Sequence, residues 1–295
     1  MRRRNFLKNI AVGSLALNIK PNIFAQIPSR PDLAVIKGES PSLITKEAIS
    51  ALGGIEQFIS NGDRVLVKPN IGWDRKPEQA ACTNPEVVKT VVELCLEAGA
   101  KEVKVMDNPC NPARRTYVRS GIAKAAKDAG AKVPFPNEHK LEKIPLNGEK
   151  LKEWEVYRDF IEADKLINMP IAKHHSLSRL TLGMKNWLGA LGGNRNALHQ
   201  GLDYAMVDLA AFFKPALTVL DAYRILHRNG PQGGRLSDTK LFKTVVAGVD
   251  YVAVDAMGTT FFGIKPEEMR FLQLASERGL GIMNLEKIKI EKRTI

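Results

Sequence analysis

The sequence predicts an α/β fold: a mainly parallel sheet flanked by helices, with a small irregular insertion. Two observations predict it. Six short apolar runs, β-branched or leucine-rich, recur along residues 26–295, as buried parallel strands do. Between them lie stretches with helical periodicity and helix start and stop signals, and that alternation marks a parallel sheet. The apolar fraction of 44% and charged fraction of 26% are those of an ordinary globular protein. About 270 residues remain after position 25, and we assign 26–295 to a single α/β domain.

The first element stands apart from that domain. Arg2-Arg3-Arg4 precedes Asn5-Phe6-Leu7-Lys8, a short apolar run follows from Ile10 to Leu17, and Lys20-Pro21 ends it. A charged start, an apolar middle and Ala25 as a small residue near the end compose a signal peptide. Paired arginines ahead of Phe-Leu-Lys make residues 1–25 a twin-arginine signal peptide, so a periplasmic or otherwise exported location and the twin-arginine export machinery as a partner are expected. Ile23 stands where a small residue usually precedes the cleavage point, which leaves open a retained segment. The apolar run is far below the ~20 residues that span a bilayer, so no integral membrane span is expected.

The strand-like runs are Leu33–Lys37, Arg64–Lys68, Glu102–Met106, Lys165–Met169, Ala216–Leu220 and Lys243–Ala247. A helix follows the second. Asn84 is its N-cap, Pro85 fits the first helical position, Val88, Val91, Val92 and Cys95 form one face, and Gly99 stops it. Further helices are predicted from Arg119 to Ala129, from an Asp203 cap to Phe213, from an Asp250 cap onward, and from Pro266 to Arg278. Residues 133–158 are polar and irregular and read as an excursion. Lys287 to Arg293 alternates and reads as an edge strand.

The net charge is +12, and about +7 once the five basic residues of the first 25 are set aside. That favours an anionic small molecule as partner. Scattered basic residues, 6% aromatics and no groove-binding motif argue for no nucleic acid. The cysteines are Cys82, Cys95 and Cys110. A Cys82–Cys110 bridge is conceivable on the sequence, but no CxxC pair exists, so no iron–sulfur cluster motif is present.

Candidate chemistry lies just after the strands. Lys68-Pro69-Asn70, Asp107, the Lys173-His174-His175 group and Asp221 each follow one, and parallel sheets bind ligands along that carboxyl edge. Lys68, Asn70, Lys173, Thr181, Lys185 and Asn186 are candidate substrate-binding residues, and His174, Asp107 and Asp221 are candidate catalytic residues. Adjacent histidines point apart, and His174 is taken as the one in the cleft. A divalent metal held by His174, His199, Asp107 and Asp221 is the alternative use of these side chains, although no HExxH spacing supports it. Each has a plain structural reading as surface charge, turn former or helix cap; repetition at equivalent strand ends favours the joint functional one.

Taken together, the chain resembles the family catalogued as domain of unknown function 362. The resemblance rests on Lys68-Pro69-Asn70, Thr83-Asn84-Pro85-Glu86-Val87-Val88, Glu97-Ala98-Gly99-Ala100, Asp107, Pro170 with Lys173-His174, and Thr181. It continues through Lys185-Asn186-Trp187-Leu188-Gly189, Asp221, Gly230-Pro231-Gln232-Gly233, Ala247-Gly248-Val249-Asp250 and Ala253-Val254-Asp255. Members often carry a ferredoxin-like module with four-cysteine motifs, which this sequence lacks. The expectation is an enzyme acting on an anionic molecule in a Lys/His/Asp-lined cleft. A ligand-binding or accessory protein, or a metal- or cofactor-carrying redox partner, is the alternative, and the cofactor is open.

Overall fold

One twisted sheet organises residues 30–295, which are those the computed structural model describes. The segment read as a signal peptide lies outside the described residues. The strands are β1 (Leu33–Lys37), β2 (Arg64–Pro69), β3 (Glu102–Val105), β4 (Leu141–Pro145), β5 (Glu153–Tyr157), β6 (Lys165–Met169), β7 (Ile171–His175), β8 (Arg179–Thr181), β9 (Leu217–Leu226), β10 (Thr239–Gly248) and β11 (Ile290–Thr294). The helices are α1 (Pro41–Ala51), α2 (Pro85–Glu97), α3 (Ala113–Arg119), α4 (Ile122–Asp128), α5 (Arg158–Glu162), α6 (Gly183–Asn186), α7 (Leu202–Phe213), α8 (Tyr251–Thr260) and α9 (Arg270–Glu277).

The strand order is β11-β1-β10-β9-β6-β2-β3, with β7 joined to β9 and β8 to β7. β6, β2, β3, β7 and β9 are linked by parallel pairings, as are β1 and β11, while β10 runs against both β1 and β9. The expected mainly parallel α/β sheet is therefore the observed one. Side chains alternate across it. Val65 and Val67 enter one core with α1, α2 and α4, and Leu66 enters the other with α7, α8 and α9. Apolar cores on both faces explain why these strands read as continuous apolar runs.

Local chemistry sets the element ends. Asn84 Oδ1 accepts from Glu86 N at 2.9 Å at the start of α2, and Asp250 Oδ1 accepts from Val252 N and Ala253 N at the start of α8. The predicted Arg119–Ala129 helix is α4, Ile122–Asp128; Gly121, whose φ of 75° suits only glycine well, parts it from α3, a helix the sequence reading does not include. Asp203 sits inside the first turn of α7 and does not cap it. Pro266 opens a single 3₁₀ turn, and α9 begins at Arg270. The excursion is the β4–β5 hairpin, and it folds back on the loop after α6: Trp154 Nε1 donates to Gly192 O at 3.0 Å. Pro170 has no N–H to offer the ladder, and it separates β6 from β7. The chain then continues along β9, where Ile171 pairs with Asp221. No helix among the described residues is long and apolar enough to cross a membrane.

Two buried carboxylates tie distant elements together. Asp221 Oδ2 accepts from Asn84 N at 2.8 Å, and its Oδ1 from Tyr223 N at 2.9 Å. Asp255, on α8, accepts from Gly183 N at 2.6 Å and Met184 N at 2.9 Å, and so holds the start of α6. Asp255→Ala strands two buried N–H groups, each costing about 1–3 kcal/mol. A loss of roughly 3 kcal/mol in urea denaturation is the expected outcome; a change within error would show that α6 is held by other contacts.

Candidate functional site

Lys68, at the end of β2, is fully buried, which is unusual for a lysine and demands a partner. The partner is Asp107, just past β3. Lys68 Nζ donates to Asp107 Oδ1 at 2.6 Å, to Pro69 O at 3.0 Å and to Asn186 Oδ1 at 3.2 Å. Asp107 Oδ2 accepts from Ile71 N at 2.6 Å, which orients the carboxylate from the β2–α2 loop. Burial pulls Lys68 below the usual lysine range, against the pull of Asp107. Gly189 packs on this pair: a Cβ there would overlap Asp107 Oδ1 and stand 2.7 Å from Lys68 Nζ.

A polar network extends from the pair. Asn186 Oδ1 accepts from Asn70 Nδ2 at 3.1 Å, and Asn186 Nδ2 donates to Lys68 O and to Asn168 Oδ1. Asn70 Oδ1 accepts from Lys173 Nζ at 3.0 Å, and Lys173 also donates to Ala81 O at 2.6 Å. Burial pushes Lys173 down to about 8. Lys185, on α6, is 9% exposed and is also pushed down to about 8, by burial first and then by the charge of Lys173. No acceptor meets its amine among the described residues. Arg195 spends its guanidinium on the carbonyls of Asn108, Leu188 and Pro109 and meets no carboxylate among the described residues.

These side chains border one cavity of about 350 Å³, at the carboxyl ends of β2 and β3. Its charged lining is Lys68, Lys173, Lys185 and Arg195 against Asp107. Trp73, Leu177 and Leu188 supply apolar wall. Thr181 is buried beside it, with Oγ1 unpartnered.

The sequence-derived candidates divide. Lys68, Asn70, Asp107, Lys173, Thr181, Lys185 and Asn186 come together. His174 does not join them: its Nδ1 accepts from Gly230 N at 3.1 Å. His175 lines the cavity instead. Its Nδ1 accepts from Leu177 N at 3.1 Å and Ser178 N at 3.4 Å, which leaves the ring proton on Nε2. Burial, then Lys185 and Lys173, push it down to about 3, so the ring is neutral. Lys173 and His175 are two apart on β7 and share a face, which His174 cannot; the sequence yields this only where residues 171–175 are recognised as a strand. Asp221 is a buried helix-holding group outside this lining, and burial pushes it up to about 6. His199 reaches the rim, its Nδ1 3.0 Å from Asn196 O.

The residues do not fit the metal alternative. Among the described residues no three His, Cys, Asp or Glu side chains converge as an ion's ligands, and the four candidates are engaged separately. All three cysteines are free, so the Cys82–Cys110 bridge does not form; Cys82 donates to Trp73 O, and burial pushes its thiol up to about 11. Trp187 belongs to the core, stacked on Phe213.

Fold and cavity thus define an α/β protein with a buried cationic cleft beside the strand ends. The model of the family described as Domain of unknown function (DUF362) matches residues 65–260, and the chain belongs to that family. It is 28% identical over 255 residues to the "Thylakoid-associated protein sll1697" of Synechocystis, covering 83% of this chain and 77% of that protein. Among solved structures it is similar to the lactate racemase apoprotein of Thermoanaerobacterium thermosaccharolyticum, with a TM-score of 0.52 at 12% identity over 79% of this chain. The match spans 57% of the racemase's length, and it speaks to the fold alone.

Asp107→Asn leaves Lys68 buried without a counter-charge and is expected to cost about 3–5 kcal/mol in urea denaturation. Replacing both partners, Lys68→Met with Asp107→Leu, is expected to recover most of that loss. A double variant as unstable as Asp107→Asn would mean that the ion pair is not the source of the cost.

Proposed function

We propose that the cavity binds a small anionic molecule and serves as the active site of an enzyme acting on it. One observation carries this reading. Lys173 and Lys185 are buried beside each other, with Arg195 near, while the single carboxylate of the lining is already taken by Lys68. Burying like charges without a counter-ion is costly. A bound anion would supply the missing negative charge in a sheltered site, where cationic donors are most effective at stabilising developing charge. The roles follow from the geometry. Lys173, Lys185 and Arg195 hold the anion, and Thr181 Oγ1 offers it a further hydrogen bond. Asp107 positions Lys68, and Asn70 and Asn186 position Lys68 and Lys173. His175, neutral and protonated on Nε2, donates a hydrogen bond. The amines pushed down to about 8 are the groups able to exchange protons near neutral pH.

We propose in addition that the protein acts outside the cytoplasm, on the strength of Arg3-Arg4 ahead of Phe6-Leu7-Lys8. Replacing Arg3 and Arg4 by lysine is expected to retain the protein in the cytoplasm, read by cell fractionation; unchanged export would contradict this.

Calorimetry with inorganic phosphate and with small carboxylates tests the cavity. Lys173→Met and Lys185→Met should each weaken binding on the order of tenfold to a hundredfold, the range of one charged hydrogen bond. Both amines are protonated below about pH 8 and neutral above it, so affinity should be retained at lower pH and fall as pH rises through that value. Absent binding at low ionic strength, or equal binding by both variants, would overturn the reading. Binding without turnover of any bound compound would make the protein a ligand carrier instead.

A further inference from the structure

We propose that Lys185 is a nucleophilic amine that forms an imine with the carbonyl group of an anionic aldehyde or ketone, a 2-oxo acid being the simplest. This rests on the anion-binding reading of the cavity and narrows its substrate class. The three cavity lysines are not equivalent. Lys68 is held as an ammonium by its ion pair and two further acceptors, and Lys173 is tethered by donation to Ala81 O at 2.6 Å and to Asn70 Oδ1 at 3.0 Å, which fix its amine in place. Lys185 borders the same cavity, is nine-tenths buried, and has no hydrogen-bond acceptor and no carboxylate partner among the described residues. Among nearby side chains Lys173 acts on it most strongly and lowers it; Cys110 opposes this, and Arg195 acts in the same direction as Lys173. A desolvated lysine among like charges is the setting in which an amine loses its proton and becomes a nucleophile. Its value near 8, against ~10.4 for a free lysine, makes the neutral amine on the order of a hundredfold more abundant at neutral pH.

The same cations that favour the neutral amine would hold the carboxylate of the substrate and set its carbonyl beside Nζ. The nitrogen lone pair attacks the carbonyl carbon. Both amine hydrogens end on the carbonyl oxygen, which leaves as water, and the C=N bond replaces C=O. No oxidant or reductant is consumed. The Nε2–H of neutral His175 is the donor available to the oxygen while charge develops on it. A protonated imine then withdraws electrons from the bonds at the neighbouring carbon, which is what such a lysine contributes to catalysis.

The test uses the folded protein with pyruvate and sodium cyanoborohydride, which reduces an imine to a stable secondary amine. Intact mass and peptide mapping locate the adduct. Modification at Lys185 ahead of every surface lysine, slowed by excess phosphate and lost in Lys185→Arg, is the expected result. Should Lys185→Arg fail to fold, the mapped position in the wild-type chain decides alone. Adducts spread over surface lysines, with phosphate still bound by the wild-type protein, would overturn this inference and leave the anion site standing. Absence of both adduct and phosphate binding would overturn the anion reading with it.

Discussion

The buried Lys68–Asp107 ion pair is the constraint on which the site depends. It clamps the end of β2 to the residues following β3, where two parallel strands would otherwise release their loops independently. The pair is tolerable because all three ammonium hydrogens are met, by Asp107, Pro69 O and Asn186, and the second carboxylate oxygen accepts from Ile71 N. It also dictates Gly189, the position where any side chain would occupy the space of the carboxylate. The β4–β5 hairpin matters for the same reason. Through Trp154 and Gly192 it braces the loop that carries Gly189. The least regular part of the chain thus supports its most constrained part.

Neutralising Lys68 with the single carboxylate of the lining leaves the remaining cations of the cavity without an opposing charge among the described residues. Hydrogen-bonded neutral groups orient Lys173 and Arg195 but carry no opposing charge. Lys173 and Lys185 are buried and Arg195 is half-buried, between the two apolar cores that cover the sheet. A charge imbalance held in place by satisfied neighbours is a preorganised field, and it asks for a ligand of opposite sign.

Much of this was legible in the sequence, because it is local. β1 and β6 begin and end at the predicted residues, and the Asn84 cap of α2 is encoded within three positions. β9 and β10 were underestimated because charged residues, Asp221 and Arg224 in one and Lys240 and Lys243 in the other, interrupt the apolar pattern. The β7–β8 hairpin was hidden for a different reason. Pro170 reads as the end of a strand, and without β7 the alternation that separates His174 from His175 cannot be applied. Position after an apolar run makes Asp221 look like a cleft residue; its partner Asn84 lies 137 residues away, and no local signal announces it. The cluster of lysines at strand ends was foreseen, but which of them is already neutralised is decided only by packing.

The central claim is that the cavity is an anion site built on unneutralised buried cations. Crystals soaked in selenate and measured at the selenium edge test it most directly, because the anion reports its own position by anomalous scattering. The account predicts a selenium peak inside the cavity, within hydrogen-bonding distance of Lys173 and Lys185. Selenate bound only at surface lysines, with the cavity free of any anomalous peak, would contradict it.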